Sequence, residues 1–476
     1  MNTLYWHDYE TWGASPSQDK PSQFAGIRTD EELNIIGEPL VIYCQPSSDC
    51  LPQPEACLLT GITPQKAQAE GLLEPIFFKQ IHEQLAQEKT CGVGYNSIRF
   101  DDEMTRYGLY RNFYDPYERE WQNGNFRWDI IDMVRLCYAL RPETLQWPTN
   151  DNGAVSFKLE LLSKANGLLH DAAHDALSDV YATIALAKLI KQKQPALYQY
   201  AYSLRDKHKV KALVDVAQFK PILHISSRFP VSRGCAGLML PLAEHPSNKN
   251  SVIAYDLSED PTPLLQLSAE EIAERLYAKQ ADLPEGVSRI PLKEIHFNKS
   301  PMVATVKLLD DDSALRLGID KAVCEANWQQ LRHADIVNKL QDVFSVQRFP
   351  PKHDPEQQLY DGFINSHDKH LMSAIRGAEP ETLSHYASQL KDPRLQALLF
   401  RYRARYYPQT LSETEKQQWQ EWVYLRLTDE AAGASIVLDE YFERLSAHTD
   451  DPSANQQIVQ DLLEYGDMIL TTVDMA

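Results

Sequence analysis

Leu4-Tyr5-Trp6-His7-Asp8-Tyr9-Glu10 is an apolar opening that runs into two acids spaced one residue apart. Leu, Tyr and Trp in succession favour an extended strand. Side chains at i and i+2 of a strand share a face, so Asp8 and Glu10 would bring both carboxylates to one spot at a sheet. Such groups repel each other, and a divalent cation between them is the usual remedy. Taken alone, a strand end with two solvated acids explains the pair more simply, so the reading depends on what else in the chain could join it.

Moving outward, Pro39-Leu-Val-Ile-Tyr-Cys44 reads as a second strand, and 75–88, 100–110 and 129–140 read as helices. The run 175–192 is the clearest helix. Its Ala176, Val180, Thr183, Ile184, Ala187 and Ile190 recur near the helical period, and Lys188, Lys191 and Lys193 crowd its C-terminal end. Alternating strands and helices over 1–195 predict an α/β domain with a central sheet. From 196 to 348 the texture changes to short β-like runs (210–216, 221–225, 251–255, 302–306) with one candidate helix at 269–280, a β-rich domain. The proline-broken 348–355 reads as a linker. Beyond it, 356–476 is helical by pattern, with a capping box at Ser412-x-x-Glu415 and a final helix over 454–470.

Two further segments could meet Asp8 and Glu10. Asn96-Ser-Ile-Arg-Phe100-Asp101 supplies a third carboxylate, with Asp102 and Glu103 as rivals, and acids at a helix start commonly just complement its dipole. His174-Asp-Ala-Leu-Ser-Asp179 sets a histidine at or before the 175–192 helix and an aspartate about one turn into it. A histidine beside a metal-bound water can take its proton, because imidazole titrates near neutrality. A surface histidine followed by a helix-start acid is the plainer account of that segment alone.

Composition limits the classes of function. Of 476 residues, 43% are hydrophobic and 24% charged, which supports more than one core and excludes a disordered chain, a collagen-like fibre and a small disulfide scaffold. No apolar run approaches the roughly 20 residues of a bilayer span. The N-terminus has no cationic flank or apolar signal core, so the expectation is a cytoplasmic protein without membrane association. Seven cysteines with no C-x-x-C pair are expected to be reduced thiols. The formal charge of −20 argues by itself against a polyanionic partner. Its distribution leaves room for one: Arg205 to Arg233 holds seven Lys/Arg and two Asp, whereas Asp429 to Ala476 holds eleven acids and only Arg444. A basic groove and active-site metals can hold a polyanion on an acidic protein.

In combination, an early D-x-E, a middle N-x-x-x-F-D and a late H-x4-D in one α/β segment match the signature of DEDDh 3′–5′ exonucleases. The chain resembles, more narrowly, the bacterial exonuclease I family of single-strand-specific DNA exonucleases. The likeness is carried by His7-Asp-Tyr-Glu-Thr11, Gly94-Tyr-Asn-Ser-Ile-Arg-Phe-Asp-Asp-Glu103 and Tyr110-Arg-Asn-Phe-Tyr-Asp-Pro-Tyr117. It continues through Arg127-Trp-Asp-Ile-Ile-Asp132, Ala139-Leu-Arg-Pro-Glu143, Lys164-Ala-Asn-Gly167 and Tyr402-Arg-Ala-Arg405. The resemblance implies a ribonuclease-H-like exonuclease domain (1–195), an SH3-like β domain (196–348) and a helical C-terminal domain (356–476). It also implies that Asp8, Glu10 and Asp179 ligate two Mg²⁺, with Mn²⁺ able to substitute, that Asp101 completes the acid set and that His174 is the general base. The implied reaction is Mg²⁺-dependent 3′-to-5′ hydrolysis of single-stranded DNA to 5′-mononucleotides, in DNA repair (mismatch repair included) and recombination.

Between the second and third motifs, arginines and aromatics interleave from Arg106 to Arg135. Aromatic faces stack on unpaired bases and arginines track phosphates, although many of these rings must also serve as core. The resemblance implies strand contacts at Glu10, Arg106, Tyr117, Trp121, Arg135 and Lys158. Lys158 stands where the family typically has arginine, and so lacks a bidentate fork. The family also docks on the acidic, apolar-ended tail of single-stranded-DNA-binding protein, for which Arg141, Tyr200, Lys220 and Arg316 are the candidates. A monomer is expected.

Three rival readings remain open from sequence: a DEDDh exoribonuclease or proofreading nuclease, an HD-type metal phosphohydrolase and a non-catalytic DNA-binding adaptor. The second rests on His-Asp pairs at 7–8, 170–171, 174–175, 353–354 and 367–368.

Overall fold

The computed structural model of the protein describes residues 2–168, 175–345, 352–449 and 451–474. Leu169 to His174 fall outside that set, and with them the expectations on His170, Asp171 and His174. The chain divides into two compact units: Met1–Phe126, His170–Tyr181 and Pro350–Ala476 form the first, and Arg127–Leu169 with Ala182–Phe349 form the second.

In the first unit, β1 (Thr3–Thr11), β2 (Pro21–Thr29), β3 (Ile35–Tyr43) and β4 (Thr90–Gly94) lie in the order β3-β2-β1-β4. β1 runs antiparallel to β2 and parallel to β4. The register sets Asp8 opposite Ala25 and Glu10 opposite Gln23. β4 pairs with Thr3–Trp6 only, so beyond Trp6 the strand is laddered on its β2 side, which leaves the Tyr9 N–H on the other side for a side-chain acceptor. Tyr5, Tyr9 and Phe24 pack with Phe77, Phe78 and Ile81 of the helix Glu74–Leu85 and with Met104 and Leu109 of the helix Asp101–Arg111. These two helices cross so closely at Gly108 that a Cβ there would lie 1.9 Å from Phe78 Cζ.

Helices of the C-terminal segment complete this unit. Tyr107, Tyr110 and Phe113 join Met372, Leu395, Leu398 and Leu399 in a second core, and Trp12, Leu51, Cys57 and Ile62 join Tyr441, Leu445, Leu462 and Ile469 in a third. Between them lies a buried ionic lattice. Arg405, on the helix Pro393–Tyr406, donates to both Asp49 oxygens at 3.0 and 2.6 Å and also pairs with Glu356. Arg401 and Arg426 share Asp354 at 2.5 and 2.7 Å, while Arg111 and Tyr406 hold Glu74 at 2.8 and 2.6 Å. The helix Glu413–Thr428 starts with the expected Ser412/Glu415 capping box, and the last helix runs Gln456–Asp474.

The second unit begins in β5 (Phe126–Asp129) and contains β6 (Ile222–Ile225), β7 (Ala236–Glu244), β8 (Ser251–Asp256), β9 (Leu292–His296) and β10 (Met302–Thr305). Strands β6 to β10 form one antiparallel sheet in the order β10-β6-β7-β8-β9. The helix Ala269–Tyr277 matches expectation, with its own capping box at Ser268 and Glu271.

Three expectations need correction. Residues 210–216 are not a strand. The helix Lys207–Leu213 is capped by Asp206, and Val210 and Val214 are buried one turn apart, so the spacing was helical. Strands β2 and β7 were not anticipated: β2 starts on Pro21 and carries Ala25 and Gly26, and β7 contains Gly237 and a bulge after Pro241. These are weak strand formers held in place by burial. The linker expected at 348–355 has 348–351 outside the described residues, and its described end is fastened, because Asp354 is a buried partner of two arginines. All seven cysteines are free and buried, and no described helix is long and apolar enough to cross a membrane.

Candidate active site

Asp8 and Glu10 leave one face of β1, and Asp179 lies in the first turn of the helix Ala176–Lys193. One ligand oxygen from each of the three lies within 4.8 Å of the others. Among the described residues this is the one group of three or more His, Cys, Asp or Glu side chains so gathered. Asp101 opens the helix Asp101–Arg111, is buried, and its Oδ1 accepts the Tyr9 backbone N–H at 3.1 Å. That bond ties the fourth acid to the strand between the first two. Its rivals point elsewhere: Asp102 pairs with Arg119 at 2.6 Å and Glu103 with Arg106 at 2.7 Å.

Burial, with the charges of Asp101, Glu10 and Asp179 adding to it, holds the Asp8 carboxyl well above the usual carboxylate range. Glu10 is pushed up to about 8 by burial and then by Asp179, Asp101 and Asp175. Acids crowded this way bind protons unless a cation replaces them. An all-carboxylate donor set suits a hard divalent ion of the Mg²⁺ or Mn²⁺ class, so the residues present fit the implied metal.

Among the described residues the His-Asp pairs make no HD-type centre; His170, Asp171 and His174 lie outside them. His7 and Asp8 are neighbours on a strand and point to opposite faces, and burial lowers the His7 imidazole to about 4. Asp354 belongs to the ionic lattice, and Asp368 accepts the backbone N–H groups of Lys391 and Asp392. Asp175 accepts the Ser178 N–H at 3.2 Å as the cap of the helix bearing Asp179. It adds charge to the site, although the sequence reading had not included it there. An acid just before a strongly periodic helix was the available signal.

Trp121 is 61% exposed, whereas Tyr107, Tyr110, Phe113 and Trp128 of the same interleave are core. Tyr117 is partly buried, and the Arg106 guanidinium lies 5.3 Å from its ring centroid. Arg106 is itself buried, bonded to Glu120, Glu103 and the Tyr360 hydroxyl. In the second unit, Arg135 pairs with Asp132 and lies 5.8 Å from the Phe157 ring centroid, next in sequence to the exposed Lys158 side chain. Arg141 and Arg316 meet at the end of the helix Ile130–Leu140: Arg316 donates to the Tyr138 and Ala139 carbonyls and Arg141 to that of Leu140. Tyr200 bonds instead to the Val303 carbonyl, and Lys220 is exposed.

Comparison with known proteins agrees with this geometry. Family models described as Exonuclease, Exonuclease I SH3-like domain and Exonuclease I C-terminal domain match residues 5–187, 205–346 and 353–469. Exodeoxyribonuclease I of Haemophilus influenzae is 45% identical over 471 residues, covering 98% of this chain and 99% of that protein. The structure of a moderately thermophilic exonuclease I from Methylocaldum szegediense superposes with a TM-score of 0.94 at 46% identity, covering 99% of this chain and 100% of that one. Escherichia coli exonuclease I in complex with a dA16 oligonucleotide gives 0.94 at 45% identity, covering 98% and 100%. With carboxylates from two strand positions and one helix start gathered at one point, and relatives aligned from end to end, the chain belongs to the bacterial exonuclease I family.

Proposed function

We propose that this protein removes 5′-mononucleotides one at a time from the 3′ end of single-stranded DNA, as a monomer serving DNA repair and recombination. The observation that carries the reading is the meeting of Asp8, Glu10 and Asp179 within 4.8 Å, with Asp101 bonded to the strand between them. Asp8, Glu10 and Asp179 would hold two Mg²⁺ ions, or Mn²⁺ in their place, and Asp101 completes the acid set. When bound, such an ion pair supplies an activated water on one side of the phosphodiester and charge stabilisation for the leaving oxygen on the other. His174 is the general base, taking the proton of the attacking water on a ring nitrogen. Glu10 also faces the terminal nucleotide.

Trp121 and Tyr117 stack on unpaired bases, and Arg106, its donors held by Glu120, Glu103 and the Tyr360 hydroxyl, serves the strand by bracing the Tyr117 ring. Arg135 and Lys158 neutralise phosphates, Lys158 as a point charge without a fork. Stacking needs unpaired bases, so duplex DNA is a poor substrate. Arg141, Tyr200, Lys220 and Arg316 receive the acidic tail of single-stranded-DNA-binding protein; charge reversal at Lys220 and Arg316 is expected to abolish tail binding in a titration.

The deciding experiment offers 5′-labelled single-stranded and duplex DNA to the wild type, Asp8→Ala and His174→Ala, with and without EDTA. Mononucleotide release from single strands alone, lost with EDTA and in both variants, is expected. Rapid digestion of blunt duplex, or activity surviving Asp8→Ala, would overturn the reading.

A further inference from the structure

Gln23 stands directly across from Glu10 in the β1–β2 register, so both side chains leave the same face of the sheet. It is 2% exposed, and a buried amide needs partners at both ends. Both are found at the start of the helix Ala176–Lys193. Gln23 Oε1 accepts the Ala176 N–H at 3.4 Å, and Nε2 donates to Asp175 Oδ1 at 3.5 Å. The other Asp175 oxygen accepts the Ser178 N–H at 3.2 Å, and the Asp175 carbonyl accepts the Asp179 N–H at 3.1 Å. The amide therefore grips two features that define a helix N-terminus: a first-turn N–H with no intrahelical acceptor, and the capping carboxylate.

We infer that Gln23 is a positioning residue, fastening the helix that carries Asp179 to the strand beside Glu10 so that the third carboxylate reaches the other two. The inference rests on the reading of Asp8, Glu10 and Asp179 as a cation site. An amide suits the place for a chemical reason. It offers a donor and an acceptor together and adds no charge to a spot already crowded with carboxylates, whereas an ionised Glu would only accept and a Met would do neither.

The test uses the full chain and Mn²⁺ as probe, read by the electron paramagnetic resonance of the free ion, with urea unfolding and steady-state DNA hydrolysis beside it. Gln23→Met is expected to weaken Mn²⁺ binding about tenfold, the scale of losing a residue that orients a metal ligand, with kcat falling at limiting metal while KM for DNA holds. Gln23→Glu should be worse, having two acceptors facing Asp175. The double variant Gln23→Glu/Asp175→Asn exchanges donor and acceptor, keeps a good cap, and should recover most of the lost Mn²⁺ affinity. Wild-type Mn²⁺ affinity in Gln23→Met, or no recovery in the double variant, would overturn the inference. If Gln23→Met fails to fold, the comparison of Gln23→Glu with the double variant decides. Failure of the cation reading looks different: the wild type would bind no Mn²⁺, or Asp8→Ala would bind it as well as the wild type.

Discussion

Arg106 donates from Nε and Nη2 to the two carboxylate oxygens of Glu120 at 2.7 and 2.8 Å, and from Nη1 to Glu103 at 2.7 Å. Both Arg106 and Glu120 are buried at their charged ends, and without Arg106 the Glu120 carboxylate loses its two-pronged partner and keeps Arg119 at the longer distance of 3.8 Å. Arg106→Ala should therefore cost about 3–5 kcal/mol in urea unfolding, the scale for breaking a buried pair. Glu103→Gln, at the more exposed partner, should cost less than about 1 kcal/mol.

Trp121 presents the opposite case, a large ring with most of its surface in water. Trp121→Ala should lower affinity for an oligothymidylate by roughly 5- to 100-fold, as one lost base–aromatic stack implies, with thermal stability unchanged. Fluorescence anisotropy and a thermal melt on the same sample check both halves.

Asp8 sits among like charges that burial makes stronger. Asp8→Asn removes one of them. In EDTA the variant should melt higher than the wild type, and adding Mn²⁺ should stabilise the wild type but not the variant. Scanning calorimetry with and without the ion reads the two effects, and turnover should be lost.

The ionic lattice makes stability depend on acid. Burial alone would raise the Asp49 and Glu356 carboxyls, but Arg405 and Lys20 at both, with Arg401 and Arg426 also at Glu356, hold them below the ordinary range. A depressed carboxylate contributes stability that is complete above its unfolded value, near 4, and is lost as pH falls toward the folded value. His82, lowered to about 4 by burial and by Arg376 and Arg119, acts in the adjoining window: it must take a proton on unfolding between its usual value and 4, so stability drops there too. Asp8 and Glu10, held high, work the other way by favouring the folded state as they protonate. In Asp8→Asn/Glu10→Gln, which lacks both, urea midpoints should hold from pH 8 to 7, decline from about 6.5 to 4 through groups such as His82, and fall faster below 4.

Spacing made several of the site residues candidates and the family resemblance gave them roles, and the structure shows why others could not be found this way. Asp8 and Glu10 were legible because a strand repeats every second residue, and Asp179 because its helix is strongly periodic. Spacing left Asp102 and Glu103 as rivals of Asp101, which the resemblance favoured: successive helical positions turn by about 100°, and the partners Tyr9 N–H, Arg119 and Arg106 tell the three apart. Gln23 was out of reach, since its place follows from the pairing of β1 with a strand of weak propensity. The exposed Trp121 could not be separated from the buried Trp128 by composition, because both lie in the same run of rings and arginines.

The first unit is assembled from three stretches of chain, the last beginning at Pro350. Asp49 meets Arg405 and Arg426 across 356 and 377 residues, and Glu74 meets Tyr406 across 332. During synthesis the strand bearing Asp8 and Glu10 leaves the ribosome long before these counter-charges exist. A nascent or prematurely stopped chain therefore has only Lys20 to face Asp49, and Lys20 with Arg111 to face Glu74, and the ionic interior is completed only when translation is nearly finished.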